Sequence, residues 1–107
     1  MRPAIYCDSR LYPDSKVWVR IYRVPRLSKK QLDKFKVVGH EHEADEIHMI
    51  AGKPGAAKFK WIMGDETFFT EPPCTVYIPA GTYHHVEWLE VSEPITVVAL
   101  ILKGKYP

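Results

Sequence analysis

His40-Glu41-His42-Glu43-Ala44-Asp45-Glu46-Ile47-His48-Met49-Ile50-Ala51 is the stretch on which the reading of this chain turns. It sets His40, His42 and Glu46 in the order His-x-His-x-x-x-Glu, and a second cluster, Pro79-Ala80-Gly81-Thr82-Tyr83-His84, lies downstream. Two imidazoles and a carboxylate close together, with a third imidazole supplied from a distance, make a four-ligand site for a divalent transition metal. The spacing also tests the backbone. On a helix, His42 and Glu46 share a face at i and i+4, but His40 points well away, although Glu and Ala favour helix locally. On an extended chain the even-numbered side chains fall on one face, so His40, His42, Glu46 and His48 converge. Glu41, Glu43 and Asp45 then turn to water as a solvated acidic edge, with room for a turn at Glu43-Ala44-Asp45. We read the segment as extended.

Working outward, the chain reads as strands almost throughout. Residues 17–24 are β-branched and aromatic, with Val17, Val19 and Ile21 on one face and Arg20 and Tyr22 on the other. Pro25 ends that run, and residues 28–34 form the one plausible helical turn, polar and short. Strands are predicted over 36–42, 46–51, 58–63, 66–70, 74–78, 83–91 and 95–103. They are punctuated by Gly52-Lys53-Pro54-Gly55, the hairpin signal Gly64-Asp65, Pro72-Pro73 and Ser92-Glu93-Pro94. Short strands at frequent turn signals indicate a sandwich or barrel, not an α/β fold.

Composition narrows the function classes. A chain of 107 residues, 46% hydrophobic and 26% charged, is one ordinary globular domain over residues 1–107. A net charge of +2, spread along the chain, gives no nucleic-acid footprint. The longest apolar run, 95–102, is far short of a membrane span, and the N-terminus lacks the apolar region of a secretory signal. Cys7 and Cys74 then read as reduced thiols of a cytoplasmic protein. There is no His-Glu-x-x-His, Cys-x-x-Cys, Gly-x-Ser-x-Gly or phosphate-cradling glycine loop.

The two motifs together, His40-x-His42-x3-Glu46 followed closely by Gly52, then Pro79-x-Gly81-x2-His84, resemble the paired motifs of the cupin superfamily. The resemblance covers about residues 34–103, leaving 1–33 as N-terminal strands and loop. Lys34 and Pro73 stand where the family carries glycines, and Trp88 where it often carries asparagine. The resemblance implies an all-β, double-stranded β-helix (jelly-roll) barrel, usually a homodimer in small members. It also implies one divalent metal per subunit (Fe, Mn, Ni or Zn) held by His40, His42, Glu46 and His84. For the dimer the residues add only that 17–24, apolar on one face and basic on the opposite edge, is a strand that invites pairing with another chain.

Three neutral imidazoles and one carboxylate leave a divalent ion with net positive charge and, if six-coordinate, two open positions for a chelating enediol, dicarbonyl or hydroxy acid. Iron directs such a site toward O₂; manganese, nickel or zinc direct it toward isomerisation, decarboxylation or elimination. The expectation is a metal-dependent enzyme on a small oxygen-rich metabolite, dioxygenase first and isomerase, decarboxylase or lyase second. A non-catalytic small-molecule-binding or sensing module is the other class. His48, two residues past Glu46, is the candidate for proton transfer or for a partner to a ligand. His85 is read as surface. Tyr83 and Trp88 line the pocket mouth or pack, and Phe59, Trp61, Phe68 and Phe69 are read as core or interface.

Overall fold

The computed structural model describes residues 5–35 and 39–104. Its strands are β1 (Ile5–Cys7), β2 (Trp18–Val24), β3 (Glu46–Ala51), β4 (Ala57–Met63), β5 (Glu66–Thr70), β6 (Cys74–Ile78), β7 (His84–Val91) and β8 (Ile95–Ile101). One helical turn, α1 (Lys29–Leu32), runs into a 3₁₀ turn over Asp33–Phe35. Ser28 starts it with a reciprocal cap: its hydroxyl accepts from Gln31 N, and Gln31 Oε1 accepts from Ser28 N. The Gly64-Asp65 hairpin forms between β4 and β5, with Gly64 at φ 57° as a two-residue turn of this kind requires.

Two expectations change. Residues 39–42 are not a strand; His40 makes an isolated bridge to His84 and the chain bends at Glu43-Ala44. The remainder of the strand predicted over 36–42, Lys36, Val37 and Val38, lies outside the described residues. The strand that seemed open to another chain, β2, is also not an edge, because β1 takes one side of it and β8 the other.

All pairing is antiparallel, in a five-stranded sheet ordered β1-β2-β8-β3-β6 and a three-stranded sheet ordered β5-β4-β7. Residues directly opposed across a ladder share a face, so the register sorts the larger sheet into rows. Val24 and Ile95 form the deepest inward row, followed by Tyr22, Val97, Ile50 and Cys74. Arg20, Ala99, His48 and Val76 come next, and Trp18, Ile101, Glu46 and Ile78 close the series. From the smaller sheet, Ala57, Phe59 and Trp61 are buried against them, Trp61 stacking on Phe68 and Phe59 meeting Trp88 edge-on. A bulge makes this possible: Lys58 pairs Glu90 but Phe59 pairs Trp88, so the extra residue Leu89 lets both Trp88 and Val91 turn inward. Phe69, read as core or interface, is not core: it is 66% exposed, on the outer parity of β5.

Arg20 is the one charged residue on the inward face of β2, and it is 6% exposed. Its Nη2 donates to Asp8 Oδ2 at 2.7 Å, its Nη1 donates to Val19 O, and its guanidinium lies 4.1 Å over the Trp18 ring. Arg10 donates to the same carboxylate through its backbone N–H and its guanidinium. Arg10 and Arg20 hold the Asp8 carboxyl well below the usual carboxylate range. The stabilisation is therefore complete above the unfolded-state value of about 3.9 and is lost as pH falls toward the depressed folded-state value. Thermal melts from pH 7 to pH 3 will show wild type losing more of its melting temperature than Asp8→Asn, so that the two converge in acid. Phe59→Ala, which empties a fully buried site, will cost about 3–5 kcal/mol in denaturant unfolding.

Candidate metal centre

The two motif segments are joined backbone to backbone before any side chain meets. His40 N donates to His84 O at 3.0 Å and His84 N donates to His40 O at 2.8 Å. Gly81 N donates to His42 O at 2.6 Å. Gly81 sits at φ 78°, third in a turn closed by Thr82 N to Pro79 O, the conformation a glycine takes there without cost. Pro79-Ala80-Gly81 thus turns the chain so that His84 opens β7 beside His40, while Glu46 opens β3 in the other sheet. Tyr83 lies across Gly39, where a Cβ would come within 1.9 Å of its hydroxyl, so a side chain at residue 39 would displace the ring from beside the site.

His40, His42, Glu46 and His84 each bring one ligand atom into a group whose members all lie within 4.8 Å of one another. The three imidazole centroids are 4.4 to 5.2 Å apart. Glu46 Oε2 lies 3.3 Å from both His42 Nε2 and His84 Nε2. His42, Glu46 and His84 are buried. His84 Nδ1 donates to Thr82 O at 2.9 Å, which sets the tautomer and turns the Nε2 lone pair toward Glu46.

Glu46 Oε2 and His84 Nε2 are buried without a hydrogen-bond partner, a condition costing about 1–3 kcal/mol for each group. One divalent cation within the group would satisfy both, and nitrogen and carboxylate donors in a three-to-one ratio suit iron, manganese, nickel or zinc. The residues fit the ion. Burial alone would raise the Glu46 carboxyl, but His48 and His84 outweigh it and hold it well below its ordinary range. Burial depresses His42, the neighbouring imidazoles adding to the effect against the pull of Glu46, so His42 is neutral and ready to ligate at neutral pH. Burial also opposes charge on His84, but Glu46 and the Thr82 carbonyl raise it overall.

His48 is inward on β3 and bonds Glu46 Oε1 through Nε2 at 2.7 Å. It therefore holds the carboxylate oxygen that does not face His42 and His84. Its ring meets Trp61 edge-on at 5.4 Å, and Trp61 is fixed by donating from Nε1 to Thr70 Oγ1. His85 points to the other side of β7, near Glu87, as read. Glu41 and Glu43 are exposed.

Asp45 corrects the sequence reading. It is not part of a solvated edge: Oδ1 accepts from Ala80 N at 2.8 Å, Oδ2 accepts from the Tyr77 hydroxyl, and its carbonyl accepts from Leu102 N. The Tyr77 and Ala80 bonds hold its carboxyl below the ordinary range. It ties the residue before Glu46 to the turn before His84, and no sequence signal marks it, because its partners come from β6 and the loop beyond.

The fold is that of a cupin domain. The chain superposes on a cupin 2 domain-containing protein from Halorhodospira halophila with a TM-score of 0.65 at 13% identity, over 92% of this chain and 61% of that one. It matches the Cnp3 cupin domain of Schizosaccharomyces pombe with a TM-score of 0.61 at 10% identity, over 84% and 55%. It matches an oxalate decarboxylase with a TM-score of 0.67 at 16% identity, over 100% and 29%. The chain thus spans less than two thirds of the length of each of these three. No protein-family model and no curated protein matches its sequence.

Elemental analysis of untagged protein will return about one equivalent of a transition metal per chain, the stoichiometry of a single four-ligand site. The His40→Ala/His84→Ala double variant will return none. Asp45→Ala keeps all four ligands and will weaken metal binding by roughly 10–100-fold, the range for residues that orient ligands, in competition titrations against a chromogenic chelator.

Proposed function

We propose that this chain is a metal-dependent enzyme acting on a small oxygen-rich metabolite, with dioxygenase chemistry as the first class and metal-dependent decarboxylation, isomerisation or elimination as the second. The observation that carries the reading is the buried Glu46–His84 pair, whose facing Oε2 and Nε2 lack hydrogen-bond partners inside a four-ligand group. A divalent ion held by His40, His42, Glu46 and His84 would supply Lewis-acid polarisation of a chelating substrate's oxygens or, as iron, activation of O₂.

The chain's own residues supply orientation, dryness and proton handling. His48 holds Glu46 in its ligating rotamer through the 2.7 Å bond, and Trp61 buttresses the His48 ring. Among the described residues it is the imidazole beside the group that is not itself a ligand, so proton transfer to or from a bound substrate falls to it. Val76, Ile78 and Ile101, buried on the inward rows around Glu46 and His48, exclude water and strengthen every charge interaction there. Ala99, opposite both His48 and Arg20 in register, is the smallest inward side chain of β8.

The decarboxylase reading draws on the likeness to oxalate decarboxylase over the whole of this chain. Oxygen uptake separates the classes. Iron-loaded protein will consume O₂ with at least one member of a panel of enediols, diketones, thiols and phenols. His48→Gln will keep its metal and lose roughly 10²–10⁴-fold in kcat, the usual contribution of a positioned acid or base. Product formation from hydroxy or keto acids without O₂ consumption selects the second class. Saturable ligand binding with no turnover under any metal replaces the enzyme with a binding module.

A further inference from the structure

Two cavities lie end to end between the helical turn α1 and strand β7, away from the metal group, and share Lys29, Leu32 and Leu89. Their volumes are about 460 Å³ and 380 Å³, and their charges are opposite. The larger holds Arg26, Lys29 and Lys58 against the single acid Glu90. Glu90 is already engaged, with Oε2 at 3.6 Å from Lys58 Nζ. Arg26 and Lys29 make no ion pair among the described residues, so this end carries two uncommitted cations. The smaller cavity holds two acids, Asp33 and Glu87. Glu87 Oε1 lies 3.5 Å from His85 Nε2, and Asp33 makes no ion pair among the described residues.

Leu89 stands where the two ends meet. It is the extra residue of the β7 bulge and is 45% exposed. Bulges re-aim side chains, and this one turns Leu89 and Glu90 outward together while Trp88 and Val91 go to the core. A single exposed leucine is ordinary. This one lies in a concavity beside Leu32, in line between a cationic end and an acidic end, which is the arrangement of an apolar anchor between two polar contacts.

We infer that this groove binds a short extended peptide segment in which a basic and an acidic residue flank an apolar one. The basic side chain lies over Asp33 and Glu87, the apolar one on Leu89 and Leu32, and the acidic one over Arg26 and Lys58. Charge separation selects the occupant. Glu87 and Glu90, at the two ends, are three residues apart on β7, which sets the ends roughly 10 Å apart. The two charges of a free amino acid are much too close together to reach both. Every second side chain of an extended peptide points the same way, so a basic-x-apolar-x-acidic segment presents all three groups to the groove. It spans about 13 Å between its outer Cα atoms, and its long charged side chains lean inward to the two ends. A polyanion or polycation meets like charge at one end and is rejected there. The inference stands apart from the metal chemistry, because Leu89 is five positions along β7 from His84, roughly 17 Å at the rise of a strand.

Fluorescence anisotropy with the full metal-loaded chain tests it at low ionic strength. The probes are fluorescein-labelled, end-blocked peptides built on Lys-Ser-Leu-Ser-Glu, Lys-Ser-Leu-Ser-Lys, Glu-Ser-Leu-Ser-Glu and Lys-Ser-Ser-Ser-Glu. The first will bind at least roughly tenfold more tightly than each of the other three. Leu89→Ser, a change at an exposed position, will keep wild-type circular dichroism and metal content and weaken that peptide by about tenfold. The Asp33→Asn/Glu87→Gln double variant will switch preference to the peptide with two glutamates, because it leaves the groove cationic throughout. Should Leu89→Ser not fold, Arg26→Gln takes its place and will narrow the preference for the mixed-charge peptide over the peptide with two lysines. Absence of saturable binding by Lys-Ser-Leu-Ser-Glu below about 1 mM overturns the inference. Equal binding of all four peptides overturns it as well, as does an affinity that none of the substitutions changes.

Discussion

A carboxylate taken out of water must be compensated, and Glu46, 5% exposed at the start of β3, imposes that requirement on the whole barrel. Its two oxygens are divided between neighbours: His48 holds Oε1, while Oε2 faces His42 and His84. No local structure supplies those partners together. His84 is 38 positions downstream in the sequence and in the other sheet. The reciprocal His40–His84 backbone bridge, the Gly81–His42 hydrogen bond and the Asp45 contacts to Tyr77 and Ala80 bring the second motif to the first. The site and the closure of the two sheets are, in that sense, one construction.

Polarity changes in steps along the inward face of the larger sheet. Val24 and Ile95 make a dry end, and the row of Tyr22, Val97 and Ile50 continues it. His48 and Arg20 enter at the next level and Glu46 at the one beyond. Each polar group that enters has a named compensation: Asp8 and the Trp18 ring for Arg20, Glu46 and Trp61 for His48. This ordering puts the ionisable groups toward one end of the inward face and leaves the Val24–Ile95 end apolar.

The strand reading of the sequence held where parity and turn signals acted together, as in β3 through β8. It failed where a contact from a distant element changed the meaning of a residue. Asp45 looked like one of three solvated acids, yet it takes hydrogen bonds from Tyr77 and Ala80. Phe69 looked like Phe68, yet one position on a strand reverses the face, and only Phe68 meets Trp61. In β2 the alternation separated Val19 and Ile21 from Arg20 and Tyr22 without fixing which face looks inward. The register puts Arg20 and Tyr22 inward, where Asp8 and Trp18 receive the guanidinium.

The sequence alone determined the all-β class and most strand positions, because period-two patterning and glycine and proline punctuation are local properties written residue by residue; the four residues of the candidate metal group were legible in it through the paired motifs and the cupin resemblance they carry. Only the tertiary structure decided which parity of each strand faces inward, that His48 holds Glu46, and that Asp45 clasps the second motif. Those depend on the ladder register and on partners tens of residues away, and a one-residue shift of register would reverse every one of them.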